Sequence, residues 1–280
     1  MQRTKINGKA LLFQADCLAV IPKIKKADFI FTDPPYGHNN NDGDLISNWE
    51  KALGSATDTS ENVRPILNDD FVSANKVTRS MVKAVAQLLP KGAAMCVCCG
   101  GGGGPDPQFA RWALMLDKLV GFKQAVTWDK EPMGMGWHYR RSYEFVLVAQ
   151  KPGAKARWFN TTKKIENIIR PGDYGIKKII PSATQHPTEK PWQLAAHFIS
   201  LHTEPGDIVL DPFMGSGSTG VAAVLTGRKF IGIELDPHWY EHATKRIQKA
   251  AKDGRDFTPR CKKRARTTIE LTQRGLWTTK

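Results

Sequence analysis

The sequence has no long apolar run. Nothing in it approaches the ~18–20 consecutive apolar residues that a bilayer span needs, and its first residues show no charged, apolar and small-residue cleavage pattern. The expectation is a soluble, cytoplasmic protein with no membrane partner. Cysteine is scarce, at five residues. That odd, small set lacks the spaced pairs and added histidines of a zinc site. Cys96 and Cys98 alternate with Val97 in AAMCVCCGG, as on a buried strand, so no metal is expected. Acid is also in deficit, with 27 Asp and Glu against 41 Lys and Arg. The resulting net charge of +14 points to a polyanionic partner, either nucleic acid or an acidic membrane face. There is no internal repeat and no long low-complexity tract. The glycine run 100–104 reads as a flexible turn.

The 280 residues suffice for a sizeable core in one or two domains. Strand-like and helix-like runs alternate, which predicts a parallel α/β sheet. Strands are expected at 10–16, 27–33, 124–130, 143–151, 207–213 and 229–236, with another in AAMCVCC. Val77, Met81, Val85 and Leu88 are spaced as on an amphipathic helix over 75–89. A further helix is expected from about Ser218 to Leu225. Three stretches stand apart. Residues 38–72 are polar and read as an inserted loop or lid. Residues 152–185 lack a period and carry several basic residues, including Arg157 and Arg170. The pattern ends near residue 252, and 253–280 form a basic tail with Arg255, Arg260, Lys262, Lys263, Arg264 and Arg266.

Two motifs carry chemistry. Thr32-Asp33-Pro34-Pro35-Tyr36-Gly37 closes an apolar strand, and open α/β sheets bind ligands at such ends. An exocyclic base amine is a poor nucleophile because its lone pair is delocalised into the ring. The Asp33 carboxylate and the Pro34 carbonyl are candidate acceptors for its N–H groups. Pro34 and Pro35 fix the backbone and hold those carbonyls in set directions. Tyr36 offers a flat face for a base taken out of the duplex. The second motif, Asp211 to Gly220, follows the strand DIVL and opens a helix. Its glycines let the backbone approach a ligand closely. Glu234 ends the next strand, where a carboxylate can hold ribose hydroxyls. By itself this second motif also fits a dinucleotide fingerprint.

Together the two motifs resemble the amino-methyltransferase family of DNA modification enzymes, known from restriction–modification systems. Asp16-Cys17-Leu18, TWDK, RRSYEFVLVAQK and HPTEKP (186–191) extend the likeness over roughly residues 10 to 250. The catalytic motif precedes the glycine motif, as in the family's β group. The resemblance implies a doubly wound, mostly parallel sheet of the S-adenosylmethionine-dependent methyltransferase type, with residues 1–252 as the catalytic domain. It implies S-adenosylmethionine as cofactor. Asp16 and Cys17 would meet its adenine. Glu234 would hold the ribose. Asp211, Phe213, Gly215, Ser216 and Gly217, with Thr188 and Lys190, would form the methionine side. Asp236 is either a second ribose contact or a cap of the next helix. Residues 152–185 would be a short target-recognition segment.

The implied activity is direct, in-line methyl transfer to adenine N6 of a base flipped from double-stranded DNA. Aspartate before the prolines resembles the adenine enzymes, whereas serine resembles the cytosine N4 enzymes. Competing readings are a cytosine N4 enzyme, an RNA or protein-glutamine methyltransferase, a nucleotide-dependent oxidoreductase and a non-catalytic DNA-binding module. A homodimer would suit a palindromic site.

Overall fold

The computed structural model describes residues 1–37, 66–100, 107–131, 138–176 and 189–253. The strands in chain order are β1 (Gln2–Ile6), β2 (Ala10–Gln14), β3 (Phe29–Thr32), β4 (Ala94–Gly100) and β5 (Phe122–Asp129), then β6 (Tyr143–Gln150), β7 (Ile168–Ile169), β8 (Ile208–Asp211) and β9 (Lys229–Glu234). The helices among the described residues are α1 (Cys17–Val20), α2 (Phe71–Val85), α3 (Gln108–Leu119), α4 (Trp192–His202), α5 (Ser218–Leu225) and α6 (Pro237–Asp253). No helix among them is long and apolar enough to cross a membrane.

The strands form one sheet in the order β1-β2-β9-β8-β3-β4-β6-β5-β7. β2, β9, β8, β3 and β4 run parallel. β1 pairs antiparallel with β2, and β6 runs antiparallel between β4 and β5. The expectation of a mostly parallel, doubly wound sheet holds for the centre, and the edges are mixed. From β3 the chain steps to β4 on one side, and from β8 it steps to β9 on the other. The carboxyl ends of β3 and β8 therefore flank a switch point, where doubly wound sheets open a crevice.

Each central strand is apolar on both faces because helices cover both, as parallel sheets require. Phe29 and Phe31 of β3, with Cys96 and Cys98 of β4, pack in the core beneath α4, α5 and α6. Ile30, Met95, Val97 and Cys99 pack in the other, with Met81, Val82 and Val85 of α2 and Trp112 of α3. The cysteine cluster is thus a strand, and its thiols are buried and free. α2 begins at Phe71, earlier than the spacing of its apolar residues suggests. Asp70 caps it by accepting a hydrogen bond from the Ser73 N–H at 2.8 Å. Of the inserted loop 38–72, residues 38–65 lie outside the described residues, as does the basic tail from 254 onward.

The segment after β6 departs from expectation at Arg157. Its guanidinium bonds Asp28 at 3.0 Å and Asp207 at 2.7 Å, and its N–H bonds the Gly92 carbonyl at 3.0 Å. Asp28 and Asp207 precede β3 and β8, so Arg157 ties together the amino ends of the two central strands, opposite the crevice. Sequence reasoning places Arg157 among target-reading residues; the structure makes it a staple. Arg157→Ala is expected to lower stability by about 1.5–3 kcal/mol, the usual worth of hydrogen bonds to charged groups. Urea unfolding checks this, and an unchanged midpoint would contradict it.

Candidate active site

The turn after β3 is held from three sides. The Gly37 N–H donates to Asp69 at 2.8 Å, and the Tyr36 carbonyl accepts from the Gln108 side chain. The Tyr36 ring meets Trp112 edge-on at 6.2 Å, and the Trp112 indole N–H is itself held by Asn75 at 2.9 Å. Gly37 has φ +78, and a Cβ there would press on the Phe71 backbone at 3.0 Å, so glycine is required. Among the described residues the Pro34 carbonyl accepts no hydrogen bond.

At the centre of the site Asp33 lies in a chain of charges. One oxygen accepts from the Tyr36 hydroxyl at 2.6 Å, and the other pairs with Lys190 Nζ at 2.9 Å. Lys190 Nζ also pairs with Glu144 Oε2 at 2.9 Å and lies 5.3 Å from the Tyr36 ring centre. Glu144 Oε1 pairs with Lys130 at 2.6 Å. The register that sets Glu144 opposite Gly100 brings it to the carboxyl end of β4. Burial raises the Asp33 carboxyl above its ordinary range, Glu144 adds to that, and Lys190 opposes it. Burial also opposes ionisation of Glu144, but Lys190 and Lys130 outweigh it and hold the group down at about 2. Lys190 stays charged because Asp33 and Glu144 overcome its burial.

Next to this turn, Asp211 closes β8. It is 2 % exposed, and its Oδ1 accepts from Thr32 Oγ1 at 2.8 Å and from the Phe213 N–H at 3.0 Å. Burial pushes its pKa up to about 6. Asp211 thus locks the ends of β3 and β8 together, while Phe213 and Gly215 stay partly accessible. Glu234, at the end of β9, accepts the Gly215 N–H at 2.8 Å and the Asp236 N–H at 2.8 Å. Burial pushes it to about 7, against those N–H bonds. β2 pairs with β9 up to Gln14 opposite Glu234, so Asp16 lies at the same rim. There Asp16 caps α1 through the Leu18 N–H at 2.8 Å.

The sequence-predicted residues therefore fall into groups. Asp33, Pro34, Pro35, Tyr36, Asp211, Phe213, Gly215, Glu234 and Asp16 lie along one rim, at the carboxyl ends of four neighbouring strands. The Cys17 side chain packs in the core, and burial raises its thiol to about 12. Asp236 caps α6, accepting from the His238 N–H at 2.7 Å. Ser216 is buried, and its carbonyl accepts from Arg246 at 2.7 Å. Thr188 lies outside the described residues. Lys190 is bound to the Asp33 carboxylate, on the catalytic side of the crevice.

Gly217 differs from the expectation of close approach to a cofactor. It adopts φ +85, and a Cβ there would meet Ala243 of α6 at 2.9 Å. It serves backbone shape and helix packing. Gly217→Val is therefore expected to cost stability, at least about 2 kcal/mol from left-handed strain and overpacking. Thermal unfolding checks this, and an unshifted Tm would refute it. Sequence reasoning misses Glu144, Lys130, Gln108, Asp69 and Arg246. One signal was present for Glu144, a lone charge in the apolar run YEFVLVA.

The model of the DNA methylase family of N6/N4 methyltransferases matches residues 27–245. The chain is 30% identical over 270 residues to the type II methyltransferase M2.LlaDCHI of Lactococcus lactis subsp. cremoris, covering 88% of this chain and 91% of that protein. It is 26% identical over 287 residues to the DNA adenine methyltransferase YhdJ of Escherichia coli K12, covering 92% and 89%. The crystal structure of the M1.HpyAVI–SAM complex superposes with a TM-score of 0.58 at 28% identity, covering 85% of this chain and 98% of that one. With both motifs meeting at one switch point and the family's match spanning most of the sequence, this chain belongs to the N6/N4 DNA methylase family.

Proposed function

We propose that this chain transfers a methyl group from S-adenosylmethionine to adenine N6 in double-stranded DNA, with Asp33 as the acceptor that activates the amine. The observation that carries this is the Asp33 carboxylate at the end of β3, locked through Thr32 and Asp211 to the glycine turn of β8. The donor set fits the cofactor. Glu234 is a half-buried carboxylate beside the turn, able to accept ribose hydroxyls. Ser218 Oγ, where the turn enters α5, is buried without a hydrogen-bond partner among the described residues. Bound cofactor supplies an electrophilic methyl on a sulfonium sulfur. Among relatives, one is named a DNA adenine methyltransferase and another a type II methyltransferase.

The residues then act on the base. Tyr36 presents its ring to a flipped adenine. Asp33 and the Pro34 carbonyl accept the two N6–H bonds and localise the nitrogen lone pair toward the methyl. As the new N–C bond forms, the methyl's bond to the sulfonium sulfur would break, its electron pair staying on a neutral thioether, and the nitrogen becomes cationic and strongly acidic. Its proton can then pass to the Asp33 carboxylate, which is poised by burial above the ordinary carboxylate range. Nucleoside mass spectrometry of product DNA tests the assignment. Methyladenine is the expected product, and methylcytosine as the main product would overturn the choice of base. Single-molecule sequencing of DNA from a methylation-free host expressing the chain would give the target site.

The net charge of +14 fits DNA, whose phosphates release counterions on binding. DNA affinity is expected to fall steeply with salt. Deleting 255–280 should weaken binding to all sequences and flatten the log–log salt slope, measured by anisotropy. An unchanged slope would remove the tail from the interface. In this reading sequence choice rests with the rest of 152–185 after the Arg157 staple, Arg170 included. A two-fold dimer would suit a palindromic site, and sedimentation with and without DNA tests it.

A further inference from the structure

The resting site leaves neither Asp33 oxygen free. Tyr36 donates to one at 2.6 Å and Lys190 to the other at 2.9 Å. Each oxygen can accept a second hydrogen bond, but an incoming amine meets a carboxylate already held by these donors and competes with them for it. Both already lie near a second carboxylate oxygen: Glu144 Oε2 is 2.9 Å from Lys190 Nζ and 3.4 Å from the Tyr36 hydroxyl. The Lys190 side chain is only 10% exposed, so water cannot readily take the place of a lost partner. A buried ammonium without a counter-charge is strongly disfavoured. Glu144 is in turn anchored by Lys130, just past the end of the neighbouring strand β5, which keeps its carboxylate in place while the donors move.

We infer that Glu144 is a positioning residue for methyl transfer: it is the reserve acceptor that holds Lys190 when the target amine takes its place on Asp33. The inference rests on Asp33 being the amine's acceptor. Lys190 in the resting site occupies the place of the substrate nitrogen, as an N–H donor to the same oxygen. The exchange moves no proton. One N–H···O bond to Asp33 is replaced by another, and Lys190 keeps its charge and its bond to Glu144. The groups facing Asp33 are Tyr36 on its own turn, Cys98 of β4, Glu144 of β6, Lys190 before α4 and Asp211 of β8.

The variants Glu144→Gln, Lys190→Gln and the double variant separate this from a structural role. Single-turnover methyl transfer at saturating cofactor is measured on DNA carrying the target site, beside cofactor affinity by calorimetry. Glu144→Gln should slow transfer at least thirtyfold, with cofactor affinity within twofold of wild type. Lys190 then stays on Asp33 and blocks the amine. Removing the ammonium in the Glu144→Gln background should restore transfer at least fivefold. A double variant no faster than Glu144→Gln would overturn the inference, as would a Glu144→Gln enzyme of wild-type rate. If Glu144→Gln does not fold, Glu144→Asp carries the same test. Its shorter reach keeps the charge near Lys130 but withdraws it from Lys190, so transfer must fall and Lys190→Gln must restore it. A wild-type chain that binds cofactor yet leaves every DNA base unmethylated overturns the underlying activity instead, and this inference falls with it.

Discussion

Asp33→Ala should reduce methyl transfer by at least two to three orders of magnitude while leaving cofactor binding near wild type. Removing one preorganised partner of the reacting group typically costs on the order of 10²–10³ in rate. Asp33 is also the charged member of the pair of acceptors, and charge-assisted hydrogen bonds are roughly twice as strong as neutral ones. The structure predicts that the loss is confined to the chemical step. Asp33 makes none of the described bonds that shape the glycine turn, which depend on Asp211 and Glu234. Lys190 keeps Glu144 as its counter-charge, so the site need not collapse. Asp33→Asn should be nearly as damaged, because its amide brings an N–H₂ group and no charge to face Lys190 and the amine. Tyr36→Phe should retain much activity, since it keeps the ring and only frees one Asp33 oxygen, whereas Tyr36→Ala should not. Single-turnover assays paired with calorimetry decide this. An Asp33→Ala enzyme within tenfold of wild type would remove Asp33 from the chemistry.

Glu234→Ala should weaken cofactor binding by about 10- to 150-fold, the equivalent of a charge-assisted bond worth about 1.5–3 kcal/mol. The same residue gives the binding a pH dependence of definite sign. Burial raises Glu234 to about 7, so in the free chain the group is largely protonated below that pH and charged above it. Ribose hydroxyls donate to the charged form, so binding favours ionisation. Affinity should therefore rise as pH increases through about 7 and level off above it. Below that point it should fall by up to about tenfold per pH unit, the limit for linkage to one proton. Calorimetry between pH 5.5 and 8.5 would show the slope, and Glu234→Gln should flatten it. A wild-type affinity that is flat across this range would mean that the Glu234 carboxylate does not hold the ribose.

Much of the site is legible in the sequence because its residues sit at strand ends. An apolar run fixes where a strand stops, and β3, β8 and β9 each stop at the residue that carries the chemistry or next to it: Asp33, Asp211 and Glu234. The strands with β-branched and aromatic runs, such as FIFT and KFIGIE, are visible for the same reason. What escapes is whatever depends on sheet order. Nothing local to YEFVLVAQ says that it pairs antiparallel with β4, and that pairing is what delivers Glu144 to Asp33. Arg157 illustrates the opposite error. A basic residue in an irregular stretch resembles a phosphate contact, and only the fold shows two carboxylates waiting for it. Gly217 illustrates a third. A glycine-rich turn is read as room for a ligand, although the neighbour crowding this glycine is the helix α6.

The placement of β8 and β9 has a consequence for how the protein is made. β2 and β3 are early in the chain but are not neighbours, because β9 and β8 lie between them. On a growing chain the gap persists until residues 208–234 have left the ribosome. Until then β3, the strand that carries Asp33, has one edge without a partner. Unpaired apolar edges invite pairing with other chains. Contacts such as Thr32 to Asp211, 179 residues apart, make folding slow relative to helical proteins. A chain ended at residue 205 should therefore aggregate when expressed alone, although it holds the whole catalytic turn. The same reasoning predicts that chaperone demand falls sharply once the last two strands can insert.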